Sequence, residues 1–426
     1  MATTADIEVS QAQAKRDTPR TAGRLFVLMV TVVFLLGYLF RWIYLSYYLT
    51  TTTVLIDLTA DWNAINPSSF GQAFAICALP FGIFFLLSRA SMPRPEDRMP
   101  AGFRTPHPAF STFVAVVIAA TVVVRSIFGS VLGEQPADIP LGLGTPLYRM
   151  QADLFPGLLL LFAEAAWATD HRRQYWLWVT ALASFNIAMA IVTTSKAGMI
   201  YFAVQYVMLM YLTGQGLLGK PLRLLALGVG GLLVFIVAAQ LRAQALTGGD
   251  AQILVSLQEG RVLETLLEVA GLVANRIPGT EGLALYCAYD CSSLPDFLWP
   301  SFNAEAGRVY TQEVIGVRGD FDFRSPGIIG GAIIIAGVWG GVLLSVAFLR
   351  AALSIARSAD RRGISAAARI TFCFGLFRFI LEGVWAWQDL FSLTLAILVI
   401  EVCARAVLLM RPAVAEDYFR LSQKVS

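Results

Sequence analysis

Residues 275–291 read NRIPGTEGLALYCAYDC. The stretch joins a guanidinium (Arg276), a turn (Pro278, Gly279), a carboxylate (Glu281), two tyrosines (Tyr286, Tyr289) and two cysteines (Cys287, Cys291). A second arginine, Arg324, stands in RSPG, so Arg276 and Arg324 each precede a Pro-Gly turn by two residues. Arg318 lies in GVRGDFDF, Arg149 in PLYRMQAD, Lys196 in TTSKAGM, and Arg125 near the end of an apolar run. An arginine fork grips an anion such as phosphate through two parallel bonds and never deprotonates. A carboxylate within reach of a hydroxyl can take its proton. Glu281, just beyond the turn from Arg276, is the first choice for that role, with Asp153 and Asp290 also available. Glu281 fits equally well in the first turn of a helix that Thr280 caps.

Elements that cross a membrane must position these groups. The chain has 426 residues, 57% of them hydrophobic and 14% charged. A soluble protein carries roughly 25% charged residues. Apolar runs long enough to cross a bilayer as helices recur along the sequence. They fall at about 25–47, 69–88, 109–131, 154–169, 175–193, 198–214, 224–241, 327–349, 364–383 and 388–410. The expected class is an all-α polytopic membrane protein with about ten transmembrane helices. Residues 1–24 are polar and mixed in charge, so the first apolar run is expected to stay as an anchor.

Lysine and arginine alternate between the loops. Lys15, Arg16, Arg20, Arg24, Arg89, Arg94, Arg98, Arg104, Arg172, Arg173, Lys220, Arg223, Arg357, Arg361, Arg362, Arg411, Arg420 and Lys424 all fall on one side of a ten-span arrangement. That side is expected to be cytoplasmic, with both termini inside. His107 and His171 fall on it too.

The opposite side holds one long loop, 242–326, with six arginines and eleven acidic residues. A loop of this length with its own pattern is usually functional. In RVLETLLEVAGLV (261–273), Val262, Leu266, Val269 and Val273 share one helical face. This segment reads as an amphipathic helix on the membrane, or as one packed within the loop's own small core. Cys287 and Cys291 are expected to form a local disulfide on an oxidising side; two free thiols and, less aptly, a metal site are the alternatives. Cys77, Cys373 and Cys403 sit in apolar spans and read as small buried hydrophobes.

Ionisable groups at membrane depth are costly unless paired or hydrated. Arg41, Glu164 and Glu401 read as inward ion pairs or snorkelling ends. Arg378 and Glu382, four apart, can pair with each other along one helix face. Arg125 and Lys196 would lie near the outward surface, at the level of lipid phosphates.

Three features together resemble the Wzy-type polysaccharide polymerases: TSKAGM at a tight turn between two spans, NRIPGTEG in a long outward loop, and RSPGIIGGAIIIAGVWGG leading into a glycine-rich span. The family's turn more often carries Ser-Arg, where this chain has Ser195-Lys196. The resemblance implies a GT-C-like fold with a structured periplasmic loop in a bacterial inner membrane. It implies transfer of a growing glycan from one undecaprenyl diphosphate to the repeat unit on another, without nucleotide sugar, cofactor or metal. Arg276, Glu281 and Arg324 would then be catalytic, and Lys196, Arg149, Arg125, Arg318 and Tyr286 would bind substrate. Tyr286 and its aromatic neighbours can stack on sugars or belong to the interfacial belt. Implied partners are lipid-linked oligosaccharides, membrane lipids, a chain-length regulator and a flippase, with no nucleic acid. O-antigen ligases share this layout but carry an outward histidine, which neither histidine here supplies. A transporter or flippase of lipid-linked sugars is the reading from another class; transporters usually show repeats and broken helices.

Overall fold

A computed structural model describes residues 21–40, 42–43, 67–89, 108–127, 150–192, 198–215, 258–261, 327–382 and 387–408, with helical positions at 225, 228–231, 233, 236–237 and 240. Every regular element among them is helical. In chain order the helices are α1 (Ala22–Val32), α2 (Pro67–Arg89), α3 (Pro108–Ile127), α4 (Phe155–Ala168), α5 (Arg172–Val192), α6 (Gly198–Leu212), α7 (Gly327–Arg361), α8 (Ala366–Glu382) and α9 (Trp387–Cys403). α1 runs on as a π-helical stretch, Val33–Phe40, and similar short stretches precede α4 (Met150–Leu154) and follow α9 (Ala404–Leu408). Among the described residues four helical segments are long and apolar enough to cross a membrane: Ala22–Phe40, Pro108–Ile127, Arg172–Val192 and Ala336–Arg361. Phe74–Ser88 and Ile200–Leu212 are shorter apolar helices. The chain is a helical membrane protein, and its helix positions follow the apolar runs of the sequence closely.

α4 is the hub. Its residues from Phe155 to Ala166 are all buried and, Glu164 apart, apolar, so it is enclosed around its whole circumference, and it packs against α5, α8 and α9. A helix that is hydrophobic all round must lie inside a bundle. Hydrophobicity alone does not hold helices together in lipid; close packing at small residues does. At Gly157 a Cβ would sit 2.2 Å from Ile400 Cδ1 and 2.7 Å from Thr371 Oγ1, and at Gly375 it would sit 2.5 Å from both Leu393 methyls. These two glycines let α8 and α9 close on α4 and on each other. α1 and α2 are joined by aromatic side chains instead, with Phe34 and Phe81 ring centres 5.2 Å apart and Trp42 stacked on Phe74 at 4.8 Å.

The apolar run at about 327–349 is not one straight span. Gly337 has φ 69° and ψ 176°, which breaks the helix. Residues eight apart in a straight helix are separated by about 12 Å. Here a Cβ on Gly341 would lie 2.3 Å from Ile333 Cα, so the chain doubles back at Gly337. The short arm 327–336 buries Ile329 and Ile333 in the core, and the long arm forms the membrane-length segment Ala336–Arg361. Only glycine takes this φ without strain, and only glycine at 341 admits the opposing backbone. Gly341→Ala is therefore expected to destabilise the protein by about 3 kcal/mol, the upper range for overpacking. Gly340→Ala meets only Ala336 Cβ at 3.0 Å and should cost less. Thermal unfolding of both variants in detergent checks the order; equal midpoints would mean the elbow relaxes freely.

Candidate functional site

The polar side chains sort to the two ends of the bundle. At one end, helix starts and helix ends meet, and carboxylates from other helices satisfy the unpaired N–H groups of the starts. Asp360, near the end of α7, accepts from Ala22 N at 2.8 Å and Gly23 N at 3.0 Å, and pairs with Arg369 Nη1 at 2.8 Å. Glu164 on α4 accepts from Ala366 N at 2.7 Å and Ala367 N at 2.8 Å. Glu401 on α9 accepts from Ser365 N at 3.0 Å and pairs with Arg405 at 2.8 Å. The Ser365 hydroxyl in turn accepts from Ala368 N at 3.3 Å. The first N–H groups of a helix have no partner within it, and the positive end of the helix favours an anion there. Glu164 and Glu401 thus clamp the start of α8 from both sides.

The same end carries the turn from α4 to α5. Asp170 adopts φ 56°, a conformation that aspartate tolerates better than most residues. Its carboxylate meets Arg172 Nε at 2.7 Å, and the Arg172 guanidinium lies 3.8 Å from the Trp167 ring centre. His171 is exposed, with Nδ1 3.0 Å from Thr169 Oγ1. Arg24, Arg173, Arg361 and Arg362 are exposed here as well, so this is the basic end.

The far end is built differently. Asp153, in the π-helical turn before α4, accepts from Arg378 Nη1 on α8 at 3.0 Å. Both side chains are largely buried, at 6% and 13% exposure. Arg378 therefore reaches across the bundle to Asp153 as well as standing four residues from Glu382. Pro156 follows at the start of α4 and fixes the direction of the chain. The Asp153–Arg378 bond ties the segment that follows Arg149 to α8. Arg125, in the last turn of α3, is 4% exposed. Phe110, in the first turn of α3, packs edge-on against Phe162 in the middle of α4. Arg125 lies about 22 Å further along α3.

Of the proposed site residues, Arg125 and the alternative base Asp153 are among the described residues. Arg276, Glu281, Arg324, Lys196, Arg149, Arg318 and Tyr286 lie outside them, as do Arg41, Asp290, the Cys287–Cys291 pair and nearly all of the proposed amphipathic helix. At the edge of that helix, Arg261 pairs with Glu259. Arg149 immediately precedes the described turn that holds Asp153, and Lys196 precedes α6 by two residues. Gln215, just beyond the end of α6, is bonded to Tyr175 near the basic end, so the start of α6 lies at the far end. Cys77 and Cys373 are buried and Cys403 is partly so. No cluster of metal-ligating side chains is present among the described residues.

Glu164, Glu401 and Asp360 have structural tasks that their positions in the sequence do not announce. The Asp153–Arg378 pair was equally hidden, because its partners are 225 residues apart. Comparison with protein-family models, curated proteins and solved structures gives no match.

Proposed function

We propose that the chain is a GT-C-like membrane glycosyltransferase that polymerises undecaprenyl-diphosphate-linked oligosaccharide repeat units in a bacterial inner membrane. About ten spans would leave both termini cytoplasmic and the loop 242–326 in the periplasm. The growing glycan passes to the hydroxyl of a new lipid-linked unit, and the lipid diphosphate leaves. It is already a good leaving group, so positioning and charge stabilisation are the main tasks. The observation that carries this reading is the contrast between the two ends. Carboxylates at the basic end are committed to helix starts and ion pairs. Away from that end the bundle buries Arg125, and Arg378 with Asp153 as its partner; in this reading these guanidiniums lie at the depth of a lipid phosphate. His171 at the basic end favours a polymerase over a ligase, whose histidine faces outward. In this reading Arg276, Arg324 and Glu281 act on the reacting groups, with Arg149, Lys196, Arg125, Arg318 and Tyr286 holding the substrate. No cofactor or metal takes part, and a chain-length regulator and a flippase are the natural partners.

The direct test is incubation of the purified protein with a lipid-linked repeat unit. A ladder of products is the expected result; a single glycan transferred to a lipid core would indicate a ligase. The break at Gly337 supports a second reading, a transporter of lipid-linked sugars, since transporters bind substrate at interrupted helices. That reading predicts movement of the substrate across vesicles without elongation.

The orientation has its own check. In a background cleared of native cysteines, Gly248→Cys should label from outside intact spheroplasts and Arg362→Cys only after permeabilisation. Outside labelling at residue 362 would invert the topology and remove the site from the periplasm.

A further inference from the structure

The elbow in α7 sets two arms against each other. Gly341 meets Ile333, each four residues from Gly337. One helical turn further out come Ser345 on the long arm and Ile329 on the short one, on the same faces as Gly341 and Ile333. Ser345 therefore faces the first turn of the short arm, 327–336. Both residues are shut away from water, Ser345 at 2% exposure and Ile329 at 0%. The Ser345 hydroxyl has no hydrogen-bond partner. Other buried hydroxyls inside helices behave differently. Ser88, Thr121 and Thr371 each donate to the carbonyl four residues back in their own helix, at 2.7, 2.8 and 2.9 Å. The first N–H groups of a helix find no acceptor within it, and no acceptor among the described residues meets those of Ile328 and Ile329.

Buried donors without acceptors cost stability unless something fills the site. Here a hydroxyl faces backbone N–H groups at the positive end of a helix, and such an end holds phosphate or sulfate. The depth agrees. Ser345 lies sixteen residues from Arg361 at the basic end, which is about 24 Å along the helix. The hydrocarbon layer is roughly 30 Å thick. Trp339, 76% exposed and two residues past the elbow, matches an aromatic at the opposite interface. The start of the short arm thus comes close to the level of the opposite headgroups, where a membrane carries phosphate. We propose that the junction between the first turn of the short arm and Ser345 is a binding site for a phosphate group, with the N–H groups of Ile328 and Ile329 and the Ser345 hydroxyl as donors. The site follows from the elbow alone and stands whether or not the chain is a polymerase.

The test uses the full chain and two probes. Inorganic phosphate is added to the protein in detergent, against chloride at equal ionic strength, and thermal unfolding is followed; a ligand that binds the folded state raises the midpoint. Phosphatidic acid is offered against phosphatidylcholine in nanodiscs, and retention is read by native mass spectrometry. A response to inorganic phosphate identifies a free anion as the ligand, and preferential retention of phosphatidic acid alone identifies a lipid phosphate. Ser345→Ala should lower the affinity for the responding probe about tenfold, the loss of one hydrogen bond to a charged group. Thr394→Ala, which removes an exposed hydroxyl of α9, should leave it unchanged. Without either probe, Ser345→Ala should unfold at the parent midpoint or above it, because no hydrogen bond is lost. A response to neither probe would mean that the site holds water or nothing, and an equal loss in Thr394→Ala would mean diffuse attraction. Either result, or unaltered binding by Ser345→Ala, or a lower midpoint for Ser345→Ala without probes, overturns the proposal.

Discussion

Glu164→Ala is expected to lower the stability of the protein by about 4 kcal/mol, and thermal unfolding in detergent should show it as a shift of several degrees. Both Glu164 oxygens accept backbone N–H groups, from Ala366 and Ala367, in a fully packed region. Alanine leaves two buried donors without acceptors, each worth about 1–3 kcal/mol, and empties the space the side chain filled. It also removes the anion from the positive end of α8. α8 touches α1, α4, α6, α7 and α9, so a loosened start spreads through the bundle. Glu164→Gln keeps one acceptor and turns an amide donor towards the other N–H, so it should lose about half as much. Glu401→Gln should matter less, because Glu401 bonds one N–H and its partner Arg405 is exposed. An unchanged midpoint for Glu164→Ala would show that these two bonds add nothing to the fold.

Glu164 also marks where sequence reasoning stops. A carboxylate in an apolar run is visible from the sequence, and burial or pairing is expected of it. Its partners are backbone groups more than two hundred residues away, and backbone groups carry no residue signature. The helices themselves were legible, because membrane length and apolar composition are written locally. α4 and α5 begin and end within a few residues of the apolar runs at 154–169 and 175–193. The elbow in α7 was legible only in part: the glycines at 337, 340 and 341 are plain in RSPGIIGGAIIIAGVWGG, but a positive φ at one of them is not. Arg378 shows the same limit. Its i,i+4 neighbour Glu382 suggested a local pair, whereas the ion pair to Asp153 depends on how α4 and α8 pack. Of the proposed far-end site, Arg125 is legible as buried in the structure, and the rest lies outside the described residues.

Arg276→Ala should reduce polymerisation about a hundredfold, if the proposed chemistry holds. A lipid diphosphate carries its charge at the outward headgroup level, and that charge grows on the bridging oxygen as the glycosidic bond breaks. Arg276 and Arg324 both precede Pro-Gly pairs in the loop 242–326, which the proposal puts on that side. A preorganised donor at such a site is worth roughly 3 kcal/mol, which is about two powers of ten in rate. Arg276→Lys should recover only part of this, because an ammonium keeps the charge and loses the fork. Glu281→Gln should be as damaging as Arg276→Ala if Glu281 takes the proton from the acceptor hydroxyl, and milder if it only orients the acceptor. If guanidiniums alone hold the diphosphate, a chelator should leave the product ladder intact; loss of the ladder on chelation, restored by a divalent ion, would count against that mechanism. The ladder assay must use variants that express and unfold like the parent protein, which separates lost chemistry from the lost packing expected of Glu164→Ala. Near-normal ladders from both Arg276→Ala and Arg324→Ala would move the site to Arg149 and Lys196, the two cations next in sequence to the Asp153 turn and the start of α6.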